Sequence, residues 1–244
     1  MQFSDEEVER YARHLVLREV GGPGQQQLKG AAVALVGAGG LGAPAALYLV
    51  AAGIGRLRVI DADVVSLSNL QRQVLYETTD VGGSKVEVAA ARLARLNPHV
   101  RLETANERLD GANADRLIGD CDLALDGTDD FATRFEVNAA CLAAGIPLVS
   151  GAIGRWTGQV GIFPGRPCYR CLVPEIPPEA ETCSAVGVIG ALAGVIGSVM
   201  ALEAIKVIAG AGEPLSGRLL VYDALAGEAR TVRIGADPAC PACA

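Results

Sequence analysis

One short segment constrains this chain more than any other: a glycine-rich turn set between two different periodicities. Residues 32–36 (AVALV) are an unbroken apolar run, the pattern of a strand buried on both faces. Gly37-Ala38-Gly39-Gly40-Leu41-Gly42 follows at once, and a helix-like stretch then runs to Ala52, with Gly53 as its stop. Such a turn lets the backbone approach phosphate closely, and the helix N-terminus beyond it offers unpaired N–H groups and the positive end of a dipole. A second strand, 57–61 (LRVID), ends on Asp61, where a carboxylate can accept hydrogen bonds from ribose hydroxyls. The turn implies a nucleotide, but by itself it suits NAD as well as ATP.

The same alternation continues along the chain. Ser4 and Glu7 stand at capping-box spacing, so residues 4–19 read as an amphipathic helix ended by Gly21-Gly22-Pro23. Ser84 is placed to cap a helix to Leu96, closed by Asn97-Pro98. Strand-like 100–104, helix-like 112–119, strand 122–126, helix 130–144 and strand 146–150 come next. Beyond residue 155 the rhythm changes. Residues 156–163 read as a strand, 164–184 as a Pro- and Cys-rich loop, 186–209 as a long apolar helix, and 217–223 with 228–234 as a closing strand pair. The expected fold is α/β: a Rossmann-like, mostly parallel sheet with helices on both faces, C-terminal antiparallel strands and a zinc knuckle. No repeat, low-complexity tract or linker interrupts it, so a single domain over 1–244 is expected.

Composition removes other classes. A chain that is 50% hydrophobic and 20% charged is neither disordered nor a coiled coil. Its net charge of −7 weighs against nucleic acid and anionic membrane as partners. Ala185 to Leu202 carries no charge and matches the shortest membrane spans, with Gly190 and Gly194 as a G-x-x-x-G pair. A buried helix is the better reading, because the run is glycine-loosened, stands alone and leads into Glu203 and Lys206 without a basic flank. The acidic N-terminus lacks the apolar core of an export signal. Seven cysteines then fit a reducing cytoplasm, where paired thiols bind metal more often than they form disulfides.

The choice of chemistry rests on the segments beyond the second strand. Asn69, Arg72 and Gln73 lie in a polar run past the carboxyl end of the sheet, the ligand side of such folds. Lys85 opens a helix, a position the dipole makes unfavourable for a cation, so an anion is expected near it; in isolation it would read as an exposed lysine. Asp126-Gly127-Thr128-Asp129-Asp130 ends another strand. Carboxylates beside a triphosphate are natural Mg²⁺ ligands, although Asp129 or Asp130 could equally cap the next helix. Hydride transfer uses neither two phosphate-seeking cations nor a metal carboxylate; chemistry at a phosphate uses both.

Cys168-Tyr169-Arg170-Cys171 and Cys240-Pro241-Ala242-Cys243 are two C-x-x-C pairs, which suit a closed tetrahedral zinc site of structural type. A redox pair is the alternative, but neither pair opens a helix after a strand. Cys121 and Cys141 fall in core positions. Cys183 lies in an acidic loop before the apolar helix, where the helix end would lower its pKa and the carboxylates would raise it.

Together GAGGLG, SNLQRQ, GGSKVE, DGTDD, both C-x-x-C pairs and TCSAVGV resemble the MoeB/ThiF adenylyltransferases, relatives of ubiquitin-activating enzymes, over nearly the whole chain from Arg10 to Cys243. The resemblance implies an enzyme that uses ATP and Mg²⁺ to adenylate the C-terminal Gly-Gly carboxylate of a small ubiquitin-like sulfur carrier protein. It implies a homodimer with structural Zn²⁺. It also implies roles for residues: Gly40 and its neighbouring amides at the phosphates, Asp61 at the ribose, Arg72 and Lys85 on phosphates, and Asp129 on Mg²⁺. Asn69 and Gln73 would support that cluster, Arg13 would reach the other subunit's ATP, and Cys183 matches a cysteine that joins sulfur transfer in some members. No rhodanese domain follows Cys243, so a separate sulfur donor, a desulfurase or rhodanese, is expected. Two alternatives share parts of this pattern. An NAD-dependent oxidoreductase would use the glycine turn and Asp61 but leave Arg72, Lys85 and Asp129 idle. A non-catalytic zinc-stabilised scaffold would have no use for the cation–carboxylate set.

Overall fold

In the computed structural model, which describes residues 3–176 and 187–244, the strand segments pair into one eight-stranded sheet. Its strands are β1 (Ala32–Val36), β2 (Arg56–Ile60), β3 (Arg101–Ala105), β4 (Leu123–Asp126), β5 (Leu148–Gly154), β6 (Thr157–Phe163), β7 (Arg218–Asp223) and β8 (Glu228–Arg233). The spatial order is β3-β2-β1-β4-β5-β6-β7-β8. From β3 to β5 the pairs are parallel, and from β5 to β8 they are antiparallel. Parallel neighbours need crossovers, and these are the helices α4 (Gly42–Ala52), α5 (Lys85–Leu96), α6 (Ala114–Ile118) and α7 (Phe131–Ala144). The N-terminal helices are α1 (Asp5–Arg10), α2 (Ala12–Leu15) and α3 (Gly21–Gly30); α8 (Tyr169–Leu172) and α9 (Gly190–Ala209) lie in the C-terminal part.

Successive side chains of β1 point to opposite faces, which gives the sheet two cores. Val33 and Leu35 join Leu28, Leu49, Val86, Ile196 and Met200 on one side. Ala34 and Val36 join Leu117, Val137, Cys141 and Tyr169 on the other. This is the mostly parallel sheet, covered on both faces and closed by antiparallel strands, that the alternating pattern predicts. Few residues in it are aromatic, and small side chains in α4 let α9 pack close.

Several local expectations change. The helix expected over 4–19 is broken at Tyr11, whose backbone leaves helical geometry while its buried hydroxyl accepts from Asn97 Nδ2 at 2.9 Å. The Ser4–Glu7 capping box is present. Gly21-Gly22-Pro23 starts α3 instead of ending a helix; proline is tolerated there because a first-turn N–H has no helical partner to lose. Ser84 stands at the N-cap of α5 but makes no side-chain cap bond. The loop expected from 164 contains α8. Helix α9 is the one described helix long and apolar enough to cross a membrane, and it packs on α3, α4, β5 and β6. Of its two spaced glycines, Gly190 abuts the chain at Gln71, where an added Cβ would lie 2.1 Å from the carbonyl oxygen, whereas Gly194 faces open space.

Candidate functional site

The register sets the site. Val36 pairs with Ile60 of β2 and with Asp126 of β4, so Gly37, Asp61 and Gly127 emerge together at one edge of the sheet. The chain leaves β1 toward β2 on one side and returns as β4 on the other, which makes this edge a topological switch point, the usual place for a ligand crevice in such sheets. A cavity of about 380 Å³ opens here. Gly37, Gly39, Gly40, Asp61, Asn69, Arg72, Gln73, Lys85 and Asp129 all line it.

The glycine turn is shaped by two constraints. Gly37 holds a φ of +89°, a conformation costly for side chains. Gly42 does not line the cavity; a Cβ there would stand 1.9 Å from the Gly37 carbonyl oxygen, so its bareness lets α4 start directly behind the turn. Asp61 braces the turn from β2, accepting from the Ala38 N–H at 2.7 Å and from the Asp63 N–H at 2.8 Å. The buried Tyr76 hydroxyl donates to the Ala38 carbonyl at 2.8 Å, and burial with the nearby Asp61 pushes its pKa well above the ordinary value.

Cations and amides stand around this frame. Lys85 is buried at the first turn of α5, and its Nζ donates to Asp63 at 2.7 Å with Asp61 at 4.0 Å. The anions expected near this lysine are therefore, in part, the protein's own. Arg72 gives one N–H to the Ser68 carbonyl at 3.2 Å and also lines the cavity. Gln73 donates to Asn69 Oδ1 at 2.8 Å, while its own Oε1 is buried and has no partner among the described residues.

The segment after β4 separates two adjacent acids. Asp130 caps α7, accepting from the Thr133 hydroxyl at 2.6 Å and its N–H at 3.0 Å, and these bonds draw its pKa below the usual range. Asp129 is exposed, and no described residue hydrogen-bonds to its carboxylate. Asp126, fully buried, accepts from Thr128 N–H at 3.0 Å, Thr128 Oγ1 at 2.7 Å and Ser150 Oγ at 3.0 Å. Sequence reasoning missed Arg134, a buried cation at the cavity floor. Burial opposes its charge, but Asp126 and Tyr169 outweigh that and raise its pKa. The available signal was the four-residue spacing of Asp130, Arg134 and Asn138 along the face that α7 buries. Glu107 and Arg108, after β3, also line the cavity, and no sequence motif marks them.

Arg13 lies exposed on α2 and does not line this cavity. Cys183 lies outside the described residues. The four paired cysteines meet: all their Sγ atoms fall within 4.8 Å of one another, with Cys168–Cys240 at 3.6 Å and Cys171–Cys243 at 3.5 Å. Tetrahedral thiolates at ordinary Zn–S lengths stand about 3.8 Å apart, so the donor set fits zinc. Burial opposes the Cys240 thiolate, yet the Ala242 and Cys243 N–H groups and the neighbouring Cys168 lower its pKa, whereas burial raises the pKa values of Cys168 and Cys243: crowded thiols without a cation favour a single negative charge among them. Cys121 and Cys141 are core residues whose thiols burial pushes up to about 11 and about 12.

The ThiF family profile matches residues 11–242. The chain belongs to the ThiF family. Within it, the chain is 48% identical to the sulfur carrier protein adenylyltransferase of Thermus thermophilus, over 100% of this chain and 93% of that protein. It is 46% identical to the molybdopterin-synthase adenylyltransferase of Escherichia coli, over 99% and 98%. The crystal structure of E. coli MccB with a MccA derivative shares the fold, with a TM-score of 0.85 at 22% identity, covering 99% of this chain and 75% of that one. As a ThiF-family member this chain is an adenylyltransferase of an ATP-using family, and the oxidoreductase reading of its glycine turn is not favoured.

Proposed function

We propose that this enzyme adenylates the C-terminal Gly-Gly carboxylate of a small ubiquitin-like sulfur carrier protein, using ATP and Mg²⁺, and so prepares the carrier for thiocarboxylation. One observation carries the reading: Arg72, Lys85 and the unbonded carboxylate of Asp129 converge on the same cavity as the glycine turn. The carrier's carboxylate oxygen attacks the α-phosphorus, the bond from that phosphorus to the bridging oxygen breaks, and pyrophosphate leaves with the electron pair. Two anions must meet in this step, so catalysis is positioning and charge neutralisation without a protein nucleophile.

The residues divide that work. Lys85 has ammonium protons left after its bond to Asp63, and Arg72 has guanidinium protons left after Ser68; both are available to phosphate oxygens. Asp61 spends one lone pair per oxygen on backbone amides and keeps others for ribose hydroxyls. The unpaired Gln73 Oε1 is an acceptor for a nucleotide hydroxyl or an ordered water, and Asn69 fixes its orientation. Mg²⁺, when bound, offsets the charge of the polyphosphate, and Asp129 is the residue that would hold it, since Asp130 is committed to capping α7. Cys168, Cys171, Cys240 and Cys243 would hold a structural Zn²⁺, a closed site with no open position for chemistry. In this reading the enzyme is a cytoplasmic homodimer, its α9 is a core helix, and Cys183 takes part in sulfur transfer from a separate donor.

The test is isotope exchange of pyrophosphate into ATP. Exchange is expected with a Gly-Gly-ending carrier and Mg²⁺ together, and with neither alone. Exchange without a carrier, or none with any sulfur carrier tried, refutes the reading. Metal analysis of the pure protein is expected to give one zinc per chain, and stripping it should lower Tm more than it weakens ATP binding; a zinc-free, equally stable protein would contradict the structural site.

A further inference from the structure

Helix α7 buries a polar stripe. Asp130, Arg134 and Asn138 recur at four-residue spacing and share one face, and Arg134 and Asn138 are 5% and 2% exposed. A buried guanidinium is unfavourable unless its donors are met, so a helix that needed only packing would carry an apolar residue here. The donors of Arg134 are met in a specific way. One nitrogen donates to the carbonyls of Thr128 and of Gly151, the latter at 2.8 Å, and the other faces the Tyr169 hydroxyl at 3.5 Å. Its partners thus lie beyond the end of β4, within β5 and between the cysteines of the first C-x-x-C pair.

The consequence falls on Thr128. Its N–H and hydroxyl are held by Asp126, and its carbonyl is held by Arg134. The next residue but one, Asp130, is fixed as the helix cap. Asp129 lies between two immobilised neighbours with a carboxylate that bonds to no described residue. From the far end of the stripe, Asn138 accepts the Tyr169 N–H at 2.8 Å, and the Tyr169 ring packs edge-on against Phe163 at 5.4 Å. A continuous set of contacts therefore runs from the cysteine cluster to the acid at the cavity.

We propose that Arg134 is a positioning residue for adenylation: by clamping the Thr128 carbonyl to β5 it sets the direction in which Asp129 presents its carboxylate to the nucleotide's metal. This rests on the reading of Asp129 as the Mg²⁺ carboxylate. One nitrogen holds both carbonyls, and the other, facing the Tyr169 hydroxyl, fixes the plane of the guanidinium; an ammonium can meet the two carbonyls from one point but lacks that second attachment.

Calorimetric titration of ATP into the whole protein, once with Mg²⁺ and once with EDTA, separates the effects. The wild type should bind ATP more tightly with Mg²⁺. The EDTA affinity of each variant reads whatever the cation contributes directly to the cavity, and the ratio of Mg²⁺ to EDTA affinity reads the metal ligand. That ratio should fall about tenfold in Arg134→Met, the scale of losing a residue that orients a metal ligand, and by less in Arg134→Lys, whose ammonium can still reach both carbonyls. A merely structural cation would lower Tm in both variants and leave that gain intact, which would overturn the proposal; so would failure of both variants to fold. Absence of any Mg²⁺ gain in the wild type would instead remove the metal reading of Asp129, and the proposal with it. The two failures are distinguishable because only the second is seen before any residue is changed.

Discussion

Asp129 and Asp130 are the same amino acid one position apart, and the fold gives them different work. The α7 N-terminus needs one acceptor for its free N–H groups, and Asp130 supplies it through Thr133. Both residues stand at plausible cap positions in the sequence, and only the backbone angles at Asp130 decide between them, which is why the sequence leaves that choice open. The division predicts opposite phenotypes. Asp129→Ala should lower pyrophosphate exchange by about 100-fold or more, as loss of one electrostatic contact at the reacting phosphates does, with little change in Tm. Asp130→Ala should cost about 1 kcal/mol of stability through the lost cap, measured by urea denaturation, with a smaller effect on exchange. A reversed pattern would reassign the metal carboxylate. Lys85 shows the same kind of legibility: a cation awkwardly placed at a helix start announces an anion, but the sequence does not tell that Asp63, 22 positions earlier, is one of them.

Elements are legible where one periodicity rules and less so where tertiary contacts override it. The central parallel strands β1 and β4 read as near-continuous apolar runs because both faces of the sheet are covered there, whereas β2 and β3, toward the edge, carry Arg56, Arg58, Arg101 and Glu103. The first helix breaks at Tyr11 because a buried phenol is anchored to Asn97, a contact 86 residues away that no local pattern carries. The edge of the parallel half holds a further device that no motif in the sequence marks. Arg58 of β2 lies beside Glu103 of β3 in register, and Arg56 and Arg58 also reach Asp120, ahead of β4, at 2.6 Å each. Hydrogen bonds from Arg58 and Arg56 hold the Asp120 carboxyl well below its ordinary range. For Glu103, burial pushes the other way, but Arg58 prevails and its pKa is lowered too. Both acids have folded pKa values below their unfolded ones, so their stabilisation is complete above pH 4.5, the higher ordinary value, and is lost as the pH falls through the folded values. Glu103→Gln should therefore cost about 2 kcal/mol at pH 7, and Asp120→Asn, whose carboxylate is more exposed and screened, about 0.5 kcal/mol. Both differences from wild type should shrink as the pH is lowered toward 3 in urea titrations. Losses that persist unchanged in acid would show that packing rather than charge is responsible.

At the scale of the whole molecule, what the sequence carries best is the succession of motifs, and what it carries least is which surfaces of the chain meet. The cysteine pairs illustrate the first: 68 residues separate them, yet β6, β7 and β8 bring the C-terminus back to α8 and gather four sulfurs. Arg13 illustrates the second. It lies on α2, which packs on α3, while the cavity opens at the carboxyl ends of β1, β2 and β4, and Arg13 does not line it. Within one chain it stands outside the cavity lining. Beside it Val16 and Leu17 are exposed by 77% and 47%, apolar surface that a second copy would cover. If Arg13 serves the reaction, it must do so across a two-fold interface, where each chain lends its arginine to the other's site. Arg13→Ala and Asp129→Ala should each be inactive alone. Refolded together in equal amounts they form mixed dimers in which one site lacks both residues and the other has both, so about one quarter of wild-type exchange per chain should return, from random pairing of a C2 dimer. Differently tagged chains let the mixed dimer be isolated and checked by mass. A verified mixed dimer without exchange, or a protein that sediments as an active monomer, would remove Arg13 from the site.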